Sequence, residues 1–263
     1  MVDPSEAIGK ARQAVTERAE LPGMSLMEHL EELRRRIVHS AAYLAVGFAV
    51  AYVFHVRLYG YVQEPLDRLH IKLNYTHPMD PLNLYLQVSL IGGAILASPF
   101  ILYQVWLFIA PGLYQKERRF VVPFMGATVG LFLAGAGFGY FYVLPGALKI
   151  LIIGFGSRFN PMVTIEEYTG FFLSIILGLG ISFEMPILIF FLALFGIVSP
   201  QFLWKNIRYA ILAVFLVAAI ITPSPDPWTM CIYAIPMLCL YLIGIAVAWW
   251  VHPDRRRAKE ATS

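Results

Sequence analysis

Charge is scarce in this chain. Asp, Glu, Lys and Arg make up 14% of its 263 residues, where a soluble domain carries about a quarter. Cysteine is scarcer still. Cys231 and Cys239 both lie in the last apolar run, about 12 Å apart along one helix, which is too far for a bridge. No metal-ligand cluster or redox motif occurs, so no metal and no cofactor are expected. An intramembrane hydrolase needs a nucleophile–base or metal constellation. His39 and His55 stand near the ends of the first apolar run without an Asp, Ser or Cys partner at useful spacing, and His29 reads as a surface residue, so catalysis is not expected. The first 23 residues have no apolar h-region, which argues against a cleaved signal peptide. No internal repeat is visible, which weakens an inverted-repeat transporter reading.

What fills the chain instead is apolar. Hydrophobic residues are 59% of it and the mean hydropathy is +0.67, values that place it among integral membrane proteins. The expected organisation is a polar cytoplasmic tail over 1–23, a membrane domain over 24–251 and a basic tail over 252–263. Six apolar runs approach the ~20 residues that span a bilayer: Ile37–Val56, Leu84–Ala110, Phe120–Val143, Tyr168–Val198, Tyr209–Ile221 and Trp228–Val251. The fifth is short, about 20 Å as a helix, and implies a locally thinned bilayer.

The basic residues set an orientation. Lys10, Arg12, Arg18 and Arg34–Arg36, then Lys116, Arg118 and Arg119, then Lys205 and Arg208, then Arg255–Arg257 and Lys259 fall on one side. Only Arg57, Arg68, Lys72, Lys149 and Arg158 fall on the other. That bias puts both termini in the cytoplasm. The outer connections carry Pro65 and amphipathic spacing, then Pro145 opening a short helix on the surface, so a cap of short interfacial helices is expected. In the third span Gly126, Gly130 and Ala134, then Gly135 and Gly139, supply small residues for close helix contact.

Three acids stand out. In SLMEHLEELRRRIVHS, Ser25 and Glu28 form a capping box, and Glu31–Arg35 and Glu32–Arg36 have the favourable i,i+4 order. A salt-bridge-laced juxtamembrane helix explains that pattern as well as a recognition site does. Glu28 has its capping duty; Glu31 and Glu32 are free to meet an external cation. In APGLYQKERRF, Glu117 sits alone among Lys116, Arg118 and Arg119, and moderating local charge is explanation enough. Two short segments that each offer a carboxylate also suit a pair of guanidinium groups, whose planar forks pair bidentately. In GLGISFEMPILIFFLALFG, Glu184 lies deep in an apolar run at a cost of roughly 2.5–3.5 kcal/mol on insertion scales. Pro186 has no N–H for the carbonyl of Ser182. Glu184, Ser182 and that carbonyl therefore make a candidate polar spot within the membrane, the plainer alternative being a neutral Glu bonded inside the bundle.

EHLEELRRRI, SPFILYQVWLFIAPGLYQKERR, GLGISFEMPI and ITPSPDPW followed by AIPM together resemble the TatC family, the multispan core of the twin-arginine protein translocase. The resemblance covers most of the chain. It implies an all-α membrane fold of six transmembrane helices in a concave, glove-shaped bundle with a periplasmic cap, in the bacterial or archaeal cytoplasmic membrane. It implies a receptor, not an enzyme, that binds the twin-arginine motif of signal peptides on folded cargo. Partners would be TatB and TatA (or one bifunctional TatA), other TatC copies and the lipid bilayer, with transport driven by the proton-motive force and no nucleic acid involved. By motif match, Glu32 and Glu117 would recognise the twin arginines. Arg34 would orient that patch, with Gln104 and Phe108 neighbouring it, and Glu184 would face the concave pocket. A polar side chain is common at the start of the sixth span; the candidates here are Thr229 and Met230, and Met is a poor hydrogen-bond partner. Asp80 stands where an outer-loop acid is common. The competing reading is a proton-coupled small-solute transporter using Glu184.

Overall fold

The computed structural model describes residues 26–109, 121–156, 158–194, 196–222 and 227–251. The two tails, Ser25 of the capping box and the basic connection holding Glu117 lie outside the described residues. Among the described residues the chain is helical, with one isolated bridge between extended segments.

The first helix, α1 (Leu26–Val53), runs unbroken from the acid-rich segment into the first apolar run. It lies antiparallel to α3 (Asp80–Ile109): Arg36 meets Gln104, Tyr43 stacks near Phe100 and Gly47 faces Gly93. A Cβ on Gly47 would lie 2.6 Å from the Gly93 carbonyl oxygen. The two backbones are in direct contact there, which only glycine permits. Where α1 begins and α3 finishes is here termed the basal end, and the opposite end the distal end.

At the distal end α1 gives way at Phe54 to α2 (His55–Asp67), which buries Val62, Pro65 and Leu66. His70, at φ 58°, turns the chain into an extended stretch leading to α3. Asp80 pins this entry, since its Oδ2 accepts from the backbone N–H groups of Thr76 and His77 at 2.8 and 2.9 Å.

The third span and the expected surface helix are one continuous rod. After α4 (Val121–Phe138), a π-helical segment Gly139–Val143, α5 (Leu144–Leu148) and a second π-helical segment Lys149–Phe155 follow in sequence. Pro145 sits in the first turn of α5, so its missing N–H does not stop the rod. The apolar stretch Phe124–Phe155 has 32 residues, about 48 Å of helix against a ~30 Å hydrocarbon core. Its small residues act selectively. Gly135 and Gly139 meet Leu179 and Ile175 of α6 (Ile165–Ser182) and Phe183 just beyond it, whereas a Cβ on Gly126 or Gly130 would meet nothing within 4 Å.

The fourth apolar run is interrupted. Helix α6 ends at Ser182, Phe183 and Glu184 form a turn, and α7 (Met185–Leu194) resumes with Pro186 buried. A proline two residues into a helix lacks a donor that would be unsatisfied anyway. The turn at Glu184 therefore spares the break Pro186 would cause in a helix interior. Helices α8 (Pro200–Lys205), α9 (Ile207–Ile221) and α10 (Pro227–Val251) complete the chain. Ser199 caps α8 by accepting from the Phe202 N–H, and the Tyr241 hydroxyl donates to the Leu203 carbonyl, tying α10 to α8. Among the described residues, five helical stretches are long and apolar enough to cross a membrane; α9, with 15 residues, is a shorter apolar helix, about 22 Å long. Both cysteines are free.

Long-range hydrogen bonds hold the cap to the spans. The Tyr168 hydroxyl donates to the Val62 carbonyl at 2.7 Å. The Tyr140 hydroxyl lies 3.0 Å from both the Tyr61 carbonyl and Glu64 Oε2. Asn74 and Thr164 pair as a parallel bridge. Below them the main core joins Leu66, Leu144, Ile175 and Leu179, while Ile189, Ala193 and Ile245 form a smaller cluster between α7 and α10.

Candidate functional site

The basal end brings four of the sequence-derived residues into view and gathers three of them. Glu32 and Arg36 lie one turn apart on α1, and Arg36 Nη2 donates to Glu32 Oε1 at 3.0 Å. The same guanidinium reaches across the helix pair, with Nη1 donating to Gln104 Oε1 on α3 at 3.1 Å. Gln104 is buried. Half-buried Phe108, one turn further along α3, stacks on His29 with ring centroids 4.5 Å apart. The result is a carboxylate fixed between two helices, with an aromatic pair beside it.

That constellation is incompletely satisfied. Glu32 Oε2 is buried and has no hydrogen-bond partner among the described residues, and neither has Arg36 Nε. Leaving a buried acceptor unpaired costs about 1–3 kcal/mol, more when it is charged. A guanidinium placed on the open oxygen would remove that cost with a charge-assisted bond. Arg34 is exposed on a different face of α1, and the contact that orients Glu32 comes from Arg36. Sequence reasoning had the Glu32–Arg36 spacing but not the reach to Gln104, because i,i+4 order reveals nothing across helices. Glu117 lies outside the described residues.

Glu184 forms a second polar spot. Its Oε1 is buried without a partner among the described residues. The neighbouring Ser182 hydroxyl turns back to donate to the Gly178 carbonyl at 2.6 Å, so Ser182 does not complete Glu184. The Thr229 side chain is fully buried near the start of α10, and Met230 is half-buried. Asp80 is occupied in the loop contacts given above. Among the described residues, no group of His, Cys, Asp and Glu is placed to hold a metal ion.

A helical, multi-pass membrane protein with a polar patch at one end is the class these features define. The family model described as Sec-independent protein translocase protein (TatC) matches residues 28–236. The protein of that name from Koribacter versatilis is 54% identical over 98% of this chain and 97% of its own. TatCy of Bacillus subtilis is 36% identical over 86% of this chain and 89% of its own. The crystal structure of the twin-arginine translocase receptor TatC superposes with a TM-score of 0.79 at 37% identity, covering 85% of this chain and 99% of that one. This chain belongs to the TatC family, and is thus a component of a Sec-independent protein translocase and not an enzyme.

Proposed function

We propose that this chain is the signal-peptide receptor of a twin-arginine translocase, and that the open oxygen of Glu32 takes one arginine of the twin-arginine motif. The observation that carries the reading is Glu32 itself: one oxygen clamped by Arg36, the other buried and unpartnered. The clamp fixes the carboxylate against α3, so little side-chain entropy remains to be lost on binding. Glu117, from the adjoining basal connection, supplies the carboxylate for the second arginine. Gln104 holds the clamp, and Phe108 with His29 offers an aromatic surface to the residues beside the motif. Arg34 contributes to the positive rim.

Bound cargo is then passed to a site assembled with TatA and TatB, or one protein serving as both, and with further copies of this chain, under the proton-motive force. Glu184 offers its unpartnered oxygen to a polar group entering the bundle, and Met230 lies where a partner helix reaches α10, beside the inward-turned Thr229. The charge bias places both termini in the cytoplasm, in a bacterial or archaeal cytoplasmic membrane. The test is binding of a labelled twin-arginine peptide to the purified protein in nanodiscs, with a paired-lysine peptide as control. Selective binding of the arginine peptide, lost in both Glu32→Ala and Glu117→Ala, is expected. Equal binding of the two peptides, or unchanged binding by both variants, rejects the reading.

A further inference from the structure

An apolar cleft of about 310 Å³ opens on the flank of the bundle in its distal half. Leu58 of α2, Val88 and Ile91 of α3, Leu133 and Gly137 of α4 and the ring of Tyr140 form its walls. It is open to the side: Leu133 is 44% exposed, and so faces whatever surrounds the spans. Along α4 and the π-helical segment after it the lining runs from residue 133 to residue 141, about 12 Å of helix. One leaflet of the hydrocarbon core is about 15 Å deep. The cleft therefore has the depth of one leaflet and lies at the distal end of the spans.

Tyr140, one of its lining residues, leads to a charged pair beside the cleft. The Tyr140 hydroxyl bonds Glu64 Oε2, and Arg68 Nη2 bonds Glu64 Oε1 at 2.7 Å. Both charged side chains stay largely open, 65% exposed for Arg68 and 44% for Glu64. The pair uses one of the five donors of Arg68, and each oxygen of Glu64 keeps acceptor capacity. A cation and an anion side by side above an apolar slot complement a molecule with a long hydrocarbon chain under a headgroup of two opposite charges. The anion of that headgroup pairs with Arg68. Its cation must carry N–H groups to bond Glu64, which a quaternary ammonium lacks.

We infer that this cleft binds one acyl chain of a phosphatidylethanolamine-type lipid, with the phosphate on Arg68 and the primary ammonium on Glu64. The site stands apart from the basal patch, so its failure leaves the receptor reading untouched. The test uses the full chain, purified in detergent and stripped of lipid, then offered phosphatidylethanolamine, phosphatidylglycerol or phosphatidylcholine of identical acyl composition. Native mass spectrometry counts retained lipids. One retained phosphatidylethanolamine per chain is expected, at least fivefold over either other lipid.

Gly137→Leu fills the slot without a clash, since a Cβ there meets nothing within 4 Å; it is expected to reduce retention at least fivefold. Leu133→Trp is the second filling variant, should Gly137→Leu melt earlier than the parent without lipid. Glu64→Gln is expected to keep a bound lipid but lose the preference for phosphatidylethanolamine over phosphatidylglycerol. Equal retention of the three lipids by the parent overturns the inference. So does retention unchanged by a filling variant that melts like the parent, which would leave the cleft to another occupant such as the apolar segment of a signal peptide.

Discussion

The two ends of this bundle treat polar groups in opposite ways. At the distal end, the hydroxyls of Tyr140 and Tyr168 and the carboxylates of Glu64 and Asp80 all find partners. These bonds hold a cap onto the spans. At the basal end, Glu32 and Arg36 are just as firmly held, yet each keeps a buried atom without a partner among the described residues. A scaffold gains by closing every polar group, whereas a receptor must leave some open for its ligand. The contrast separates the structural acids of the chain from the acid proposed to bind a peptide.

The largest expected effect comes from the contact that joins both ends. A Cβ on Gly93 would lie 2.5 Å from the Phe48 backbone nitrogen. Gly93→Leu therefore pushes α1 and α3 apart. Overpacking of this kind costs about 1–3 kcal/mol and occasionally more, so the variant should melt well below the parent and lose peptide binding as well. Retained binding at normal affinity would show that the basal patch survives without close helix contact.

Glu32→Gln sharpens the comparison from the basal side. Loss of a charge-assisted bond of about 1.5–3 kcal/mol weakens twin-arginine peptide binding roughly 10- to 150-fold, with little change in melting temperature because Arg36 keeps Gln104. Tyr168→Phe does the reverse. It removes the second bond to the Val62 carbonyl and should cost about 0.5–1.5 kcal/mol of stability, read as an earlier melt in detergent, with peptide affinity unchanged.

Tyr233 is an exception to the well-satisfied distal pattern. Its hydroxyl, on α10, is buried with no partner among the described residues, and it lies apart from the basal patch. Tyr233→Phe removes an unsatisfied group without opening a cavity, so stability should hold or rise by up to about 1 kcal/mol. A clear loss would mean that this hydroxyl has work to do.

The smallest effect is one of pH. The Arg68 bond, and then the Tyr140 bond, hold the Glu64 carboxyl below its ordinary value of 4.5. A lowered folded value means that the contribution is fully present above 4.5 and is lost as pH falls through the folded value. The parent should therefore show a slight extra fall in melting temperature on acidification below that point, absent in Glu64→Gln.

Much of this fold was legible because a bilayer imposes length and composition on the chain. Of the six apolar runs, five lie in helical stretches long enough to cross a membrane and one in the shorter α9. Other features depend on contacts that periodicity does not contain. Gly126 and Gly130 had the same small-residue spacing as Gly135 and Gly139, yet only the latter pair meets α6. The apolar run around Glu184 read as one span, although the chain turns at Phe183 and Glu184. The continuation of α4 through Pro145 was also hidden, since a proline early in a helix and one that starts a new helix look alike in sequence. The cross-helix reach of Arg36 to Gln104, over 68 positions, has no one-dimensional signal.

The Tyr168–Val62 bond joins residues 106 positions apart, and the Asn74–Thr164 bridge lies beside it in the chain's path. Everything between must cross the membrane and return before either contact can exist. The cap is therefore a late event in biogenesis, locked only after both α3 and α4 have been threaded. A chain in which only one of the two had crossed would leave Val62 and Tyr168 on opposite faces of the bilayer. The bond acts as a closing check on topology.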